Sequence, residues 1–237
     1  MPVYVYILII LALAATYGYF RGRKKNQWMC GWISRELEDV LKPRDKDYVN
    51  IGGTIGYNFT YKLRPPLTEA KGTYTLLPRQ SILYFPISKL IARHDRFYMN
   101  IFVSWKLAGE GHIISEYYFK HMRTPIAGMN KMKRETAEIG GRRFILLWDK
   151  GSVSTPLKKL LESLPNPEIL LHFCCYRDNN TFFLHLVPKS QASFGALLRA
   201  FYERMEGFTQ KGVKANGNER DGEGDAPGDD QEDRQGS

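Results

Sequence analysis

Val3 to Phe20 reads VYVYILIILALAATYGYF, eighteen residues without a charge. As a helix this run is about 27 Å long, against a bilayer hydrocarbon core of about 30 Å. Nine of its residues are Val, Ile, Leu or Phe, which together favour insertion by about 3 to 5 kcal/mol. Only Met1 and Pro2 precede it, whereas Arg21, Arg23, Lys24 and Lys25 follow at once. A cleaved signal peptide carries its positive charge on the opposite flank. Residues 3–20 are therefore read as an uncleaved transmembrane anchor. The positive-inside rule then puts the N-terminus across the membrane and residues 21–237 in the cytosol. Tyr4, Tyr6, Tyr17 and Tyr19 sit towards the two ends, where interfacial aromatics belong.

Charge is distributed unevenly behind this anchor. The whole chain carries a formal +9, but residues 209–237 hold four basic against eight acidic side chains, a balance of −4, which leaves +13 on residues 1–208. A soluble acidic enzyme is excluded, and a wholly disordered chain is excluded by the 43% of hydrophobic residues. Cys30, Cys174 and Cys175 form no disulfide framework and have no paired zinc spacing. They suit a reducing compartment.

Between anchor and tail the periodicity predicts one mixed α+β domain over residues 43–207 with antiparallel hairpins and a long C-terminal helix. A juxtamembrane helix over 21–42 precedes it, with Met29, Ile33, Leu37, Val40 and Leu41 at helical spacing and Pro43 ending it. Strands are expected at Thr54–Lys62, Thr73–Leu77, Phe97–Leu107 with Ile113–His121 as its hairpin partner, and Arg142–Trp148. A short helix is expected around Ile87–Ala92. Longer ones are expected from Thr124-Pro125 to the Gly140-Gly141 pair, from Thr155-Pro156 to Leu164, and from Pro188 to Gly207. Glu168–Tyr176 and Thr181–Val187 read as a hairpin turning at Asp178-Asn179, which opposes His172 to His185. Residues 208–237 read as a disordered acidic tail.

The patterns that carry chemistry are mostly absent. Gly52-Gly53-Thr54-Ile55-Gly56 lacks the Lys-Ser/Thr of a phosphate loop and reads as a turn. No G-x-S-x-G, H-E-x-x-H or C-x-x-C occurs. His172, Cys174 and His185 share one hairpin face and are a conceivable metal set, but without a local metal signature they read as a half-polar sheet face under a helix. No cofactor, no metal and no enzymatic activity are expected. What remains is basic charge tied to a membrane: Arg21, Arg23, Lys24 and Lys25 at the exit, then Lys131, Lys133 and Arg134 on one helix continuing to Arg142 and Arg143. These are the candidate contacts for a polyanion, either anionic lipid or RNA.

Tyr19-Phe20-Arg21-Gly22-Arg23-Lys24-Lys25-Asn26, directly after a single span, resembles the membrane junction of the calumin family. These are coiled-coil-containing endoplasmic reticulum proteins of the PAT complex, which works beside the Sec translocon. The order of elements at Tyr117–Glu138, Pro156–Leu164 and Phe182–Glu206 is similar as well. The resemblance implies a translocon-associated, non-enzymatic subunit of an intramembrane chaperone for multi-pass proteins. It also implies a single-pass place in the endoplasmic reticulum membrane, with the N-terminus lumenal. The implied partners are an Asterix-like small multi-spanning protein, the Sec translocon, the ribosome and the anionic lipid surface. Two features depart from the family: an acidic lumenal region, hence calcium binding, is not expected, and an acidic tail stands where the family has basic helices. Two rival readings stay open: a membrane-anchored domain binding anionic lipid surfaces or handling lipid, and an enzyme acting at the membrane.

Overall fold

The computed structural model describes residues 2–122 and 124–210; the tail expected over 208–237 lies mostly outside the described residues. Helix α1 runs unbroken from Val3 to Leu41, 39 residues, or about 58 Å. The anchor and the juxtamembrane helix are thus one element. It stops where Lys42 turns left-handed (φ 44°), its N–H bonding the Glu38 carbonyl at 2.9 Å. Pro43 then bars continuation, having no N–H to give. One helix among the described residues is long and apolar enough to cross a membrane. It is this one, and its apolar window is unburied.

Nine antiparallel strands among the described residues make one sheet: β1 (Asp45–Asn50), β2 (Gly56–Lys62), β3 (Leu67–Thr75), β4 (Arg96–Val103), β5 (Gly111–Ser115), β6 (Lys133–Ile139), β7 (Arg142–Trp148), β8 (Leu170–Tyr176) and β9 (Thr181–Leu186). Their spatial order is β1-β2-β3-β4-β9-β8-β5-β7-β6. With α2 (Tyr84–Ala92), α3 (Glu116–His121), α4 (Gly151–Ser163) and α5 (Gln191–Arg204), this is the expected α+β class. Alternation along the strands sends Phe59, Tyr61, Tyr74, Phe97, Met99 and Phe173 to one face. The second half of α1, α5 and α4 cover that face. Trp32 and Phe97 both meet Phe194 edge-on, at 5.6 and 4.9 Å between ring centroids. Trp28, one turn before Trp32, is left exposed. On the opposite face, Tyr118, Phe119, Met122, Ile126, Met129 and Met132 cover Ile114, Ile145 and Leu147.

Several expected elements are corrected. The helix predicted from Thr124 to the glycine pair is absent: a single 3-10 turn at Met129–Lys131 leads into strand β6. Gly140 and Gly141 both have positive φ, 58° and 69°, and join β6 to β7 between the paired Ile139 and Arg142. Two such residues in succession make the tight turn that matches strand twist. A glycine pair can stop a helix or close a hairpin, and here it does the second. Strand β5 does not pair with β4; it lies between β8 and β7, buried along its whole length. Its end is a helix start, since the Ser115 hydroxyl accepts the Tyr118 N–H and opens α3. Helix α4 begins at Gly151, so Pro156 falls in its second turn. The Gly52–Gly56 segment is a hairpin turn from β1 to β2, held by the Asn50 side chain accepting the Gly52 and Gly53 N–H groups. At the C-terminal boundary, Phe208 and Thr209 are still buried, with Thr209 bridged to Leu107.

Candidate functional site at the membrane junction

Gly22 and Asn26, four residues apart and so on one side of α1, are buried amid the exposed Arg21, Arg23, Lys24 and Lys25. The loop after β3 comes directly onto this side. A Cβ added at Gly22 would lie 2.0 Å from the Arg79 carbonyl oxygen, so only glycine admits the approach. One turn on, the Asn26 amide donates to the Leu77 carbonyl at 2.9 Å and to the Gln80 side chain at 3.3 Å. Its oxygen accepts from Arg79 at 3.0 Å. Arg79 in turn makes two bonds to the Asp95 carboxylate, 2.9 and 2.6 Å, and Asp95 also accepts the Leu77 N–H. Helix, loop and the start of β4 are tied by one closed set of hydrogen bonds, those of Arg79 and Asp95 being charge-assisted. Reading the junction for its cations overlooks Gly22 and Asn26. The signal available was a glycine in a helix interior, which costs about 1 kcal/mol against alanine, followed four residues later by an amide.

The cations themselves point outward. Arg21 and Arg23 fold back to donate to the Tyr17 and Tyr19 hydroxyls, at 3.2 and 3.4 Å. Lys25 sits over the Trp28 ring at 4.1 Å. The second expected cluster is not one cluster. Lys133 and Arg134 open β6 while Arg142 and Arg143 open β7, so the two pairs stand at opposite ends of an antiparallel hairpin, about 20 Å apart. The opposing faces of the strand divide Lys133 from Arg134. Arg134 lies over Phe119 at 5.0 Å, and Arg143 bridges Glu116 at 3.1 Å. Lys131 is exposed in the turn before β6. Charges along an exposed edge strand also oppose edge-to-edge pairing with another chain.

The β8–β9 hairpin has the expected register: His172 opposes His185 and Cys174 opposes Phe183. His172, Cys174 and His185, the conceivable metal set, do not converge. His172 reaches across to β5, where its Nε2 lies 3.1 Å from His112 Nδ1, and His112 Nε2 lies 3.1 Å from Glu110 Oε1. A carboxylate only accepts, so His112 donates through Nε2 and accepts from the His172 Nε2–H. Cys174 Sγ stands 3.8 Å from His112 Nε2. His185 has no hydrogen-bond partner among the described residues and stacks on Tyr98 at 4.3 Å. Burial holds His172 and His185 down to about 3. Neighbouring histidines add to the effect at His172, and His94 and Arg96 at His185. Burial pushes the Cys174 thiol well up, with Cys175 adding to it. Among the described residues, the atoms close enough to share one metal ion are those of Glu110, His112 and Cys174, within 4.8 Å of one another. Sixty residues separate His112 from His172, and sequence offers no spacing from which to join them. The hydrogen-bond chain from His172 to Glu110 accounts for the same geometry without an ion, and a raised thiol pKa works against thiolate ligation.

No family model and no curated protein matches the chain. Among solved structures, the chain is similar to the mycobacterial trehalose monomycolate transport factor A, TtfA, at 12% sequence identity with a TM-score of 0.33, over 79% of this chain and 94% of that one. At that distance the neighbour says nothing of what this chain does.

Replacing Asn26 with Ala removes the amide bond to the Leu77 carbonyl and the bond from Arg79, which keeps its two bonds to Asp95, and is expected to cost about 1–3 kcal/mol. Lys24→Ala, two residues away on the exposed side of the helix, should stay within about 0.5 kcal/mol; denaturant unfolding of the two reconstituted variants compares them. The depressed histidines make a second expectation. The unfolded chain takes up protons below about pH 6.5, whereas the folded one does so only near 3. The contribution of the two histidines to stability is therefore complete above pH 6.5 and is lost as pH drops from 6.5 towards 3. His185→Phe should reduce that loss in an acid-unfolding series. Elemental analysis of the purified chain is expected to find no stoichiometric transition metal. One equivalent that survives dialysis and disappears in His112→Ala would assign Glu110, His112 and Cys174 as ligands.

Proposed function

We propose that the chain is a translocon-associated subunit of an intramembrane chaperone complex, one that assists insertion and folding of multi-pass membrane proteins. In this reading it sits in the endoplasmic reticulum membrane with its N-terminus lumenal and its α+β domain cytosolic. The anchor pairs with an Asterix-like small multi-spanning protein, beside the Sec translocon. The domain faces the ribosome and the anionic lipid surface, and it catalyses nothing. One observation carries this reading: the YFRGRKKN junction works as a unit. Its cations ring the membrane exit while its Gly22 and Asn26 seat the domain against the same helix. A domain clamped at the exit of its own span suits a scaffold that must hold a fixed place beside a channel.

The dispersed basic residues bear on how such a domain would meet a ribosome. Lys131, Lys133 and Arg134 remain exposed at one end of the β6–β7 hairpin. Contact there is of the charge-and-shape kind, spread over phosphates rather than read from bases.

Crosslinking in native membranes tests the proposal, with ribosomal and Sec components expected among the products. Changing Lys131, Lys133 and Arg134 to Glu should lower ribosome retention about threefold or more at low salt and flatten its salt dependence. Absence of both sets of components, with binding to anionic vesicles intact, would overturn the proposal in favour of a lipid-surface domain.

A further inference from the structure

The loop that meets the junction continues into a helix with its apolar stripe exposed. Leu83, Tyr84, Ile87, Leu90 and Ile91 recur on one side of α2 and the residue before it. All are exposed, Leu83 at 86%, Leu90 at 81% and Ile91 at 71%. The side turned inward presents Ser88, which is buried. A helix on a water-soluble domain buries its apolar stripe, whereas α2 leaves its own exposed, with Phe85 and Ala92 only half-buried beside Ser88. A contiguous apolar surface of this kind marks contact with a membrane or with another protein.

Position decides between these. The Leu77 carbonyl meets Asn26, the Arg79 carbonyl lies against Gly22, and the Ile82 side chain lies against Gly18, where a Cβ would fall 2.4 Å from Ile82 Cδ1. Each contact is four residues, about 6 Å, nearer the N-terminus of α1 than the last. The chain thus climbs the anchor helix one turn at a time, out of the domain and into the uncharged run. Ile82 touches the anchor inside Val3–Phe20, ahead of the first cation, Arg21. Helix α2 begins two residues later.

We propose that residues 82–91 lie in the interfacial layer of the same bilayer that α1 spans, with Leu83, Leu90 and Ile91 among the acyl chains. The occupant of the exposed stripe is phospholipid, because the stripe is continuous through Ile82 with the membrane-spanning surface of α1. The exposed Lys89, on the same helix, extends its ammonium towards headgroup phosphates along its apolar stem. The domain therefore holds the membrane at two points, a spanning helix and a helix lying in the surface. This does not depend on the translocon reading, and lipid alone suffices to test it.

Full-length chain is reconstituted in nanodiscs of phosphatidylcholine and phosphatidylglycerol, with the fluorophore NBD attached at Leu83→Cys, at Leu90→Cys, or at Asp178→Cys on the β8–β9 turn. Cys30, Cys174 and Cys175 are buried, and the unsubstituted chain gives the labelling background. At Leu83 and Leu90, quenching by lipid bearing a nitroxide near the headgroup end of its acyl chain should exceed that at Asp178 by about threefold or more. Quenching by aqueous iodide should be weaker there by a similar factor. Iodide access at both positions equal to that at Asp178 would overturn the proposal. So would protection from iodide without quenching from lipid, which would place protein over the helix. The labelled positions are exposed, so the core is untouched, and thermal unfolding of each labelled chain against its parent checks this.

Discussion

Asn26 and Gly22 set the distance between the membrane and everything that follows. A helix that leaves a bilayer would ordinarily hand over to a linker, and the domain beyond would drift. Here the helical hydrogen bonds run on without a break, and the first side of α1 to emerge is already occupied by loop 77–80 through the Asn26, Arg79 and Asp95 bonds. The sheet, its helical cover and the exposed α2 all inherit their place from that contact. Substituting a larger residue at Gly22 would force the loop backbone away from the helix and unseat the rest with it.

Two kinds of polar interior serve different ends in this fold. The junction set is closed: Asn26, Arg79 and Asp95 find partners in one another and in backbone groups, as buried polar atoms must. The chain of His172, His112 and Glu110 is open at one end, running from a buried ring to a half-exposed carboxylate, while His185 beside it is held only by aromatic stacking. The first set specifies geometry. In the second, burial keeps His172 and His185 neutral, and so ties the fold to the protonation of those two rings.

Much of this was legible in the sequence where local rules suffice. An uncharged run followed by four cations admits few readings, and the His172–His185 pairing follows from a short turn and a two-residue period. Sequence failed where one signal serves two structures. The Gly140-Gly141 pair fits both a helix stop and a tight hairpin turn, and choosing the helix gathered Lys131, Lys133, Arg134, Arg142 and Arg143 into a basic face that the strands disperse. It failed again where the partner is distant: nothing near β5 says that it inserts between β7 and β8, or that His112 lies beside His172. In α2 the helix itself was legible. Its orientation was not, because periodicity locates an apolar stripe without saying whether protein or lipid covers it.

The unbroken α1 also makes the protein a lever. About 31 Å of the helix lies beyond the apolar run, packed along the sheet, so the angle of the span in the bilayer is also the angle of the domain. A change in tilt of about 10°, well within the range that spanning helices adopt as bilayer thickness varies, would swing the Leu41 end through about 5 Å. A neighbour that grips the span therefore repositions the whole sheet without touching it.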